Sequence, residues 1–311
     1  MSKTRDRVLV GPSSFGELDS APLDALSAAG LQVVRNPHGR TLTKDEVIDL
    51  LDGVLGIVAG LEPLDEEVLA KSELRVVSRC GSGMSNVDLD AAKRLGIEVY
   101  STPDGPTEAV AELTLGALLG LLRHVPRMDR SLRGGKWDKR MGAQLQGKTV
   151  AIVGYGRIGR RVAEVMQSFD VDILVVDPLL DEKDVGYPVM TLDEALPRAD
   201  IVSLHLSGEE QVLGEREFGL LKDGAYILNG ARGGIVDEDC LVRRLESGKL
   251  AGAWVDTFDT EPYEGPLTRF DQVVLTPHVG SYARESRVAL EMESARNLIE
   301  GLAGGKGSGR D

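Results

Sequence analysis

Three glycines constrain this chain more than any other feature. They stand in Gly154-Tyr155-Gly156-Arg157-Ile158-Gly159, directly after the β-branched run Thr149–Val153 and ahead of a helical stretch read as Arg160–Ser168. A strand that turns sharply into a helix needs one glycine for the turn, one where backbone must approach a ligand, and one where helix lies close on strand. The helix N-terminus then offers unsatisfied amides and a partial positive charge to a pyrophosphate. The following strand, Asp172–Val176, ends at Asp177, 18 residues beyond Gly159. A carboxylate there accepts hydrogen bonds from the ribose hydroxyls of an adenosine and repels a 2′-phosphate, and no arginine follows it, only Pro178-Leu179-Leu180. The expected cofactor is therefore NAD rather than NADP, held by Gly154, Gly156, Arg157, Ile158, Gly159 and Asp177.

A strand–turn–helix unit of this kind belongs to a parallel α/β sheet, and the rest of the chain alternates accordingly. In the first hundred residues, Arg7–Gly11, Leu31–Val34, Val54–Ala59, Leu74–Arg79 and Ile97–Tyr100 read as strands. Pro22–Ala29, Lys44–Leu51, Asp65–Lys71 and Val87–Leu95 read as helices between them, with Thr43 and Asn86 as start signals for the second and fourth. After Pro103-Asp104-Gly105-Pro106 breaks the pattern, a helix over Thr107–His124 is apolar on more than one face, which calls for burial on several sides, a subunit interface among them. Arg127–Gln146 reads as a long ordered loop. Strands follow at Thr149–Val153, Asp172–Val176, Ile201–Leu206, Ala225–Asn229, Gly252–Val255 and Val273–Leu275, and Glu285–Leu302 shows one apolar helical face. The tail Gly304–Asp311 is low in complexity and expected to be disordered. Two such series predict an α/β protein of two Rossmann-like or flavodoxin-like parallel-sheet lobes with a cleft between them.

With 311 residues the chain has length for two cores, and its net charge of −14 argues against a nucleic-acid partner. The longest nearly apolar run, Leu113–Leu122, is about half the ~20 residues of a membrane span, and no apolar segment follows the charged N-terminus, Met1 to Arg7, to make a secretory signal. Cys80 and Cys240 are too few for a disulfide framework or a four-thiolate zinc site. The expectation is a soluble protein of a reducing, cytoplasmic compartment, with no metal and no membrane.

Moving a hydride to or from a carbon that bears oxygen requires a group to exchange the oxygen's proton near neutral pH, and histidine suits that task. Of four histidines, His38 lies in a Gly-containing loop and His124 at a helix end near Pro126, both places for solvated or capping side chains. His205 ends a strand with no partner for chemistry beside it in sequence. His278, in Thr276-Pro277-His278-Val279-Gly280, follows a strand at its carboxyl end, where ligands of open α/β sheets gather. Two other polar stretches also follow strands: Asn229-Gly230-Ala231-Arg232-Gly233-Gly234, and Asp256 to Pro262. An arginine there can grip a carboxylate with two parallel hydrogen bonds, and Glu261 can orient an imidazole and favour its charged form.

In order and spacing these motifs resemble those of the D-isomer-specific 2-hydroxyacid dehydrogenases, most closely the phosphoglycerate dehydrogenase branch. The likeness covers almost the whole chain and is carried by Arg79 to Asp88, Ala111 to Thr114, Gly154 to Gly159, Asn229 to Glu238, Thr260-Glu261-Pro262 and Pro277 to Gly280. It implies a substrate-binding domain of residues 1–101 plus 281–311 and an inserted NAD-binding Rossmann domain of residues 102–280. It further implies a catalytic set in which His278 is the general acid/base, Glu261 its partner, and Arg232 the group that binds the substrate carboxylate and reacting oxygen. Arg79, Ser82 and Gly83 would contact the substrate and Asp256 the nicotinamide amide. The resemblance also implies a homodimer through the helix at 107–124 and the segment after it. The chain departs from the pattern in three places. Ala59-Gly60-Leu61-Glu62-Pro63 stands where close phosphoglycerate dehydrogenases carry basic residues, although Lys139 and Arg140 of a neighbouring subunit could supply charge. Ser207 replaces a frequent proline, and no regulatory domain follows the last helix, so a feedback module is expected to be absent. The activity expected is hydride transfer between NAD(H) and C2 of a small 2-oxoacid or 2-hydroxyacid. The alternatives are D-3-phosphoglycerate dehydrogenase proper and a non-catalytic NAD(H)-sensing scaffold.

Overall fold

The computed structural model describes residues 6–81, 83–208 and 210–304. The chain divides into two compact units: the first runs to Pro106 and resumes at Ser281, and the second is Thr107–Gly280. In order, the first unit contains β1 (Arg7–Val10), α1 (Ala21–Ala28), β2 (Gln32–Arg35), α2 (Lys44–Leu50), β3 (Gly56–Ala59), α3 (Glu66–Ala70), β4 (Val76–Arg79), α4 (Leu89–Leu95) and β5 (Glu98–Tyr100). The second contains α5 (Thr107–Leu122), α6 (Val125–Arg133), β6 (Thr149–Val153), α7 (Arg157–Gln167), β7 (Asp172–Val176), α8 (Glu182–Val185), α9 (Leu192–Ala195) and β8 (Ile201–Leu204). It continues with α10 (Glu215–Leu220), β9 (Ala225–Asn229), α11 (Glu238–Glu246), β10 (Leu250–Val255) and β11 (Val273–Leu275), and α12 (Arg284–Gly304) then returns to the first unit.

Both sheets are parallel. The first has strand order β2-β1-β3-β4-β5 and the second β11-β10-β9-β8-β6-β7. Helices cover both faces, so successive residues of a central strand enter opposite cores. In β6, Val150 and Ile152 pack with Trp254, Leu118 and Val162, whereas Ala151 and Val153 pack with Leu204, Ile227 and Leu241. In the first unit, Leu9, Ile57 and Val77 join Val47, Val68 and Ala91; Val8, Val58 and Val76 join Leu26 and, from α12, Leu290 and Leu298.

Several helix starts carry side-chain caps, and one of them departs from expectation. Thr43 and Glu46 close a reciprocal capping box on α2. Asn86, expected to cap α4, does not: Asp88 accepts from Ala91 N, and the Asn86 amide instead donates to the carbonyls of Gly60 and Glu62. The helix expected at Arg160 begins at Arg157, because extended Gly156 serves as its cap and Arg157-Ile158-Gly159 already form the first turn. The segment read as a loop from Arg127 contains α6, which starts from a left-handed His124 (φ 54°), has Pro126 in its first turn and carries an i,i+4 pair, Arg133 with Asp129. Among the described residues no single helix is long and apolar enough to cross a membrane. The tail beyond Gly304, and Met1 to Arg5 of the N-terminal stretch, lie outside the described residues.

Candidate functional site

The second unit's sheet brings the ends of β6, β7 and β8 together on one side of its centre and those of β9, β10 and β11 on the other. Strands lie ~4.8 Å apart, so loops leaving the same edge of neighbouring strands share one neighbourhood.

At β6 the chain turns through Gly154, whose φ of +88° is open to glycine at no steric cost. Its N–H donates to the Val176 carbonyl at 2.9 Å, and a Cβ placed on it would lie 2.8 Å from the His205 carbonyl oxygen. A Cβ on Gly159 would lie 2.1 Å from the Gly154 carbonyl oxygen, whereas one on Gly156 meets nothing within 4 Å. Two of the glycines are thus demanded by the chain's own packing, and the space above the remaining one is open. No side chain caps α7, so its first amides are left to an anion, and exposed Arg157 stands beside them. Asp177 accepts from Tyr155 N at 2.9 Å through Oδ2 and from Leu179 N at 3.0 Å through Oδ1. It braces the glycine turn and keeps one lone-pair direction on each oxygen for a ribose. These features fit an adenine dinucleotide.

Across the sheet, His278 Nδ1 lies 2.9 Å from Glu261 Oε2 and 3.1 Å from Oε1, and Glu261 Oε1 is itself held by the Phe258 N–H at 3.1 Å. With a carboxylate at Nδ1 the proton is assigned there, and Nε2 is the ring's free working atom. His278 adopts φ 53°, a left-handed conformation costly for most side chains. A ring of hydrogen bonds holds it so. His278 N donates to the Asp256 carbonyl at 2.8 Å. The Asp256 carboxylate accepts from Thr276 Oγ1 (2.5 Å), Val279 N (3.0 Å) and Gly280 N (2.9 Å), while Trp254 Nε1 donates to Thr276 Oγ1 at 3.0 Å. Asp256, expected at the nicotinamide amide, is only 1% exposed and spends these bonds on the histidine turn. Sequence reading missed Thr276 and Trp254 as members of this ring, since the bonds join residues 20 and 22 positions apart across β10 and β11.

Arg232 follows β9, and its Nη1 is braced by the Ala231 carbonyl at 2.7 Å. The next residue joins its loop to that of Glu261: a Cβ on Gly233 would lie 2.3 Å from the Phe258 carbonyl oxygen, so the Arg232 turn rests directly on the backbone whose Phe258 N–H holds Glu261. Adjacent strands therefore present an imidazole, a carboxylate and a guanidinium, a set able to exchange a proton and bind a carboxylate.

The other histidines differ. His205 Nε2 lies 2.8 Å from Ser203 Oγ, its Nδ1 is inaccessible, and burial pulls its pKa down to about 3, so it stays neutral at physiological pH. His38 lies 3.4 Å from Glu46, and His124 caps α6 without a side-chain bond. Of the residues expected to bind substrate from the first unit, Arg79 ends β4, nine-tenths buried, with Nη1 donating to the Cys80 carbonyl; Gly83 is half-buried and Ser82 lies outside the described residues. Among the described residues no group of three or more His, Cys, Asp or Glu side chains is placed to hold a metal.

Residues 115–280 match the family model for the D-isomer specific 2-hydroxyacid dehydrogenase NAD binding domain. The chain is 37% identical over 309 residues to the D-3-phosphoglycerate dehydrogenase of Sus scrofa, an alignment covering 96% of this chain and 57% of that protein. It thus spans little more than half the length of such relatives. It is 34% identical to the hydroxypyruvate reductase of Thermotoga maritima, with 90% of this chain and 96% of that one aligned. Among solved structures, the TT0316 protein of Thermus thermophilus superposes with a TM-score of 0.86 at 34% identity, covering 96% of this chain and 97% of that one.

Proposed function

The chain belongs to the D-isomer-specific 2-hydroxyacid dehydrogenases, and from that membership we propose that it transfers hydride between NAD(H) and C2 of a small 2-oxoacid or 2-hydroxyacid. The observation that carries this reading is the His278–Glu261 pair at the sheet edge that also bears Arg232. Bound NADH supplies a hydride and NAD⁺ accepts one. His278 Nε2 gives its proton to the C2 oxygen as that carbon is reduced, which leaves the ring neutral, and takes a proton back in the oxidative direction. Glu261 holds Nδ1, fixes the ring plane and offsets the imidazolium charge. Arg232 pairs with the substrate carboxylate and polarises the reacting carbonyl. Gly154, Gly156, Arg157, Ile158 and Gly159 seat the pyrophosphate. Arg79, Ser82 and Gly83 are assigned to the substrate by the resemblance alone.

The test is a spectrophotometric screen of NADH oxidation with glyoxylate, pyruvate, hydroxypyruvate, phosphohydroxypyruvate and branched and aromatic 2-oxoacids. Turnover with at least one supports the reading. Inactivity with all of them, beside intact NADH binding, would leave a non-catalytic NAD(H)-binding scaffold.

Asp177 sets cofactor choice in this proposal, because a carboxylate repels a 2′-phosphate. Asp177→Ala is expected to raise KM for NADH by ~10-fold and to narrow the NADH/NADPH preference by a similar factor. An unchanged preference in that variant would remove Asp177 from the role.

The protein is also proposed to work as a homodimer through α5 and the segment that follows. Leu113, Leu115 and Leu119 of α5 remain half-exposed, and Leu132, Trp137 and Met141 beyond it are 58%, 78% and 95% exposed. Single apolar residues are ordinary on a surface; this many large ones along one stretch of chain support an interface there. Light scattering should give twice the chain mass, and Trp137→Glu with Met141→Glu should shift it toward the monomer. A wild-type monomer would end the proposal. Buried Cys80 and Cys240, both free thiols, agree with a reducing, cytoplasmic location.

A further inference from the structure

Among the described residues Trp254 is the largest fully buried side chain. It lies on β10, in register with Leu228 of β9 on one side and Val274 of β11 on the other. Side chains of a strand alternate between faces, so the next positions on the same face of those two neighbours are Gly230 and Thr276. Each is the first residue beyond its strand. Gly230 opens the turn that carries Arg232, and Thr276 the turn that carries His278. The indole reaches both.

Its two edges do so by different means. A buried indole N–H needs an acceptor, and Trp254 Nε1 donates to Thr276 Oγ1 at 3.0 Å. The single hydroxyl proton of Thr276 goes on to Asp256 Oδ1 at 2.5 Å, so the relay runs one way, from indole to hydroxyl to carboxylate. Asp256 in turn holds the N–H groups of Val279 and Gly280 with its carboxylate and that of His278 with its carbonyl. At the opposite edge, a Cβ on Gly230 would lie 2.7 Å from Trp254 Cη2 and 3.0 Å from Cζ3, so the ring is the floor of the Arg232 turn. Asn229 closes that turn from above: its Oδ1 accepts from Ala231 N at 3.1 Å and its Nδ2 donates to the Arg232 carbonyl at 3.0 Å.

We propose that Trp254 is a positioning residue: one buried ring fixes the His278 turn through Thr276 and the Arg232 turn through Gly230, and so keeps the proton donor and the carboxylate binder in a common frame. This rests on the dehydrogenase reading. A flat side chain with two rotatable bonds in a close-packed core yields little, and a displacement at one edge is passed to the other.

The experiment measures kcat, KM for the best 2-oxoacid and the NADH dissociation constant in Trp254→Phe, Thr276→Val, Thr276→Ser and Gly230→Ala. NADH titration shows that each variant is folded and should stay within about threefold of wild type. Trp254→Phe, which lacks the N–H and the outer ring edge, is expected to lower kcat by ~10-fold, and Thr276→Val by ~10–10², since a misplacement near 1 Å costs on that scale. Combining the two should cost no more than Thr276→Val alone, because they break one relay; independent roles would multiply. Gly230→Ala should raise KM for the 2-oxoacid by ~10-fold beside the indole and by less than about threefold in the Trp254→Phe background, where the opposing edge is gone. Thr276→Ser keeps the hydroxyl and should recover most of the kcat lost in Thr276→Val, so this pair carries the test should Trp254→Phe not fold. Wild-type kcat in folded Trp254→Phe overturns the proposal. So do multiplied losses in the double variant, an equal Gly230→Ala effect in both backgrounds, or equal kcat in the two Thr276 variants, while the dehydrogenase reading stands in all of these. Failure of the wild type to reduce any 2-oxoacid removes both.

Discussion

His278→Asn lowers kcat by ~10²–10⁴ while leaving the NADH dissociation constant within about threefold of wild type, because general acid–base groups contribute on that scale. In free energy this is about 3–5 kcal/mol of lost transition-state stabilisation. Asparagine is the informative replacement, since His278 sits at φ 53° and asparagine tolerates the left-handed region better than alanine. The turn that Asp256 builds around His278 N, Val279 N and Gly280 N then survives, and only the ionisable ring is lost. Steady-state kinetics with the best substrate from the 2-oxoacid screen, beside a fluorescence titration with NADH, separates the two quantities. Wild-type turnover in H278N would take His278 out of the mechanism. A parallel collapse of NADH binding would instead mark the residue as structural.

What could be read from the residues, and what could not, follows from the range of the interactions. The strand-to-helix turn at Gly154–Gly159 is local: its glycines, its flanking strand and Asp177 lie within 29 residues. The strands themselves were legible because buried parallel strands are short apolar runs bounded by turns, and their ends moved by only one or two residues. The order β11-β10-β9-β8-β6-β7 is a different matter. It decides that loops after β9, β10 and β11 are neighbours, and motif spacing alone does not state it. The bonds that hold His278 in place run from Trp254 to Thr276 and from Thr276 to Asp256, across strands, and Gly233 owes its identity to the Phe258 backbone 25 residues away. Asn86 misled for the same reason. It precedes a helix, as a cap does, but its amide is taken by the Gly60–Glu62 turn, and Asp88 caps in its stead. Helix α6 escaped notice because the stretch from Arg127 to Gln146 is polar and rich in glycine as a whole; Val125, Met128 and Leu132 at i, i+3 and i+7, the i,i+4 ion pair and Pro126 were the available signals.

The glycine turn makes the second large prediction, in which two neighbouring substitutions part company. Gly159→Val places a Cβ where the Gly154 carbonyl oxygen would be 2.1 Å away. That carbonyl has no room to withdraw: Gly154 is tied to Val176 on one side and packed on the His205 backbone on the other. Helix α7 must therefore lift from β6, at a cost of ~1–3 kcal/mol in stability, as overpacking of a close contact commonly brings. The amides that should seat the pyrophosphate are displaced with it, and a misplacement near 1 Å is worth ~10² in binding or rate. Gly156→Ala is the contrast. Its Cβ meets nothing within 4 Å in the protein, and its φ of −72° and ψ of −160° suit any residue. The alanine variant should melt within about 1 °C of wild type and still lose NADH affinity by ~10-fold or more, because the added methyl group occupies the path of the phosphates. Thermal melts with and without NADH read both effects together: Gly159→Val lowers Tm and abolishes the NADH-induced rise, whereas Gly156→Ala leaves Tm and reduces only the rise. An NADH-induced rise of wild-type size in Gly156→Ala would show that the dinucleotide does not approach the second glycine, and the cofactor seat would then have to be sought elsewhere on the sheet edge.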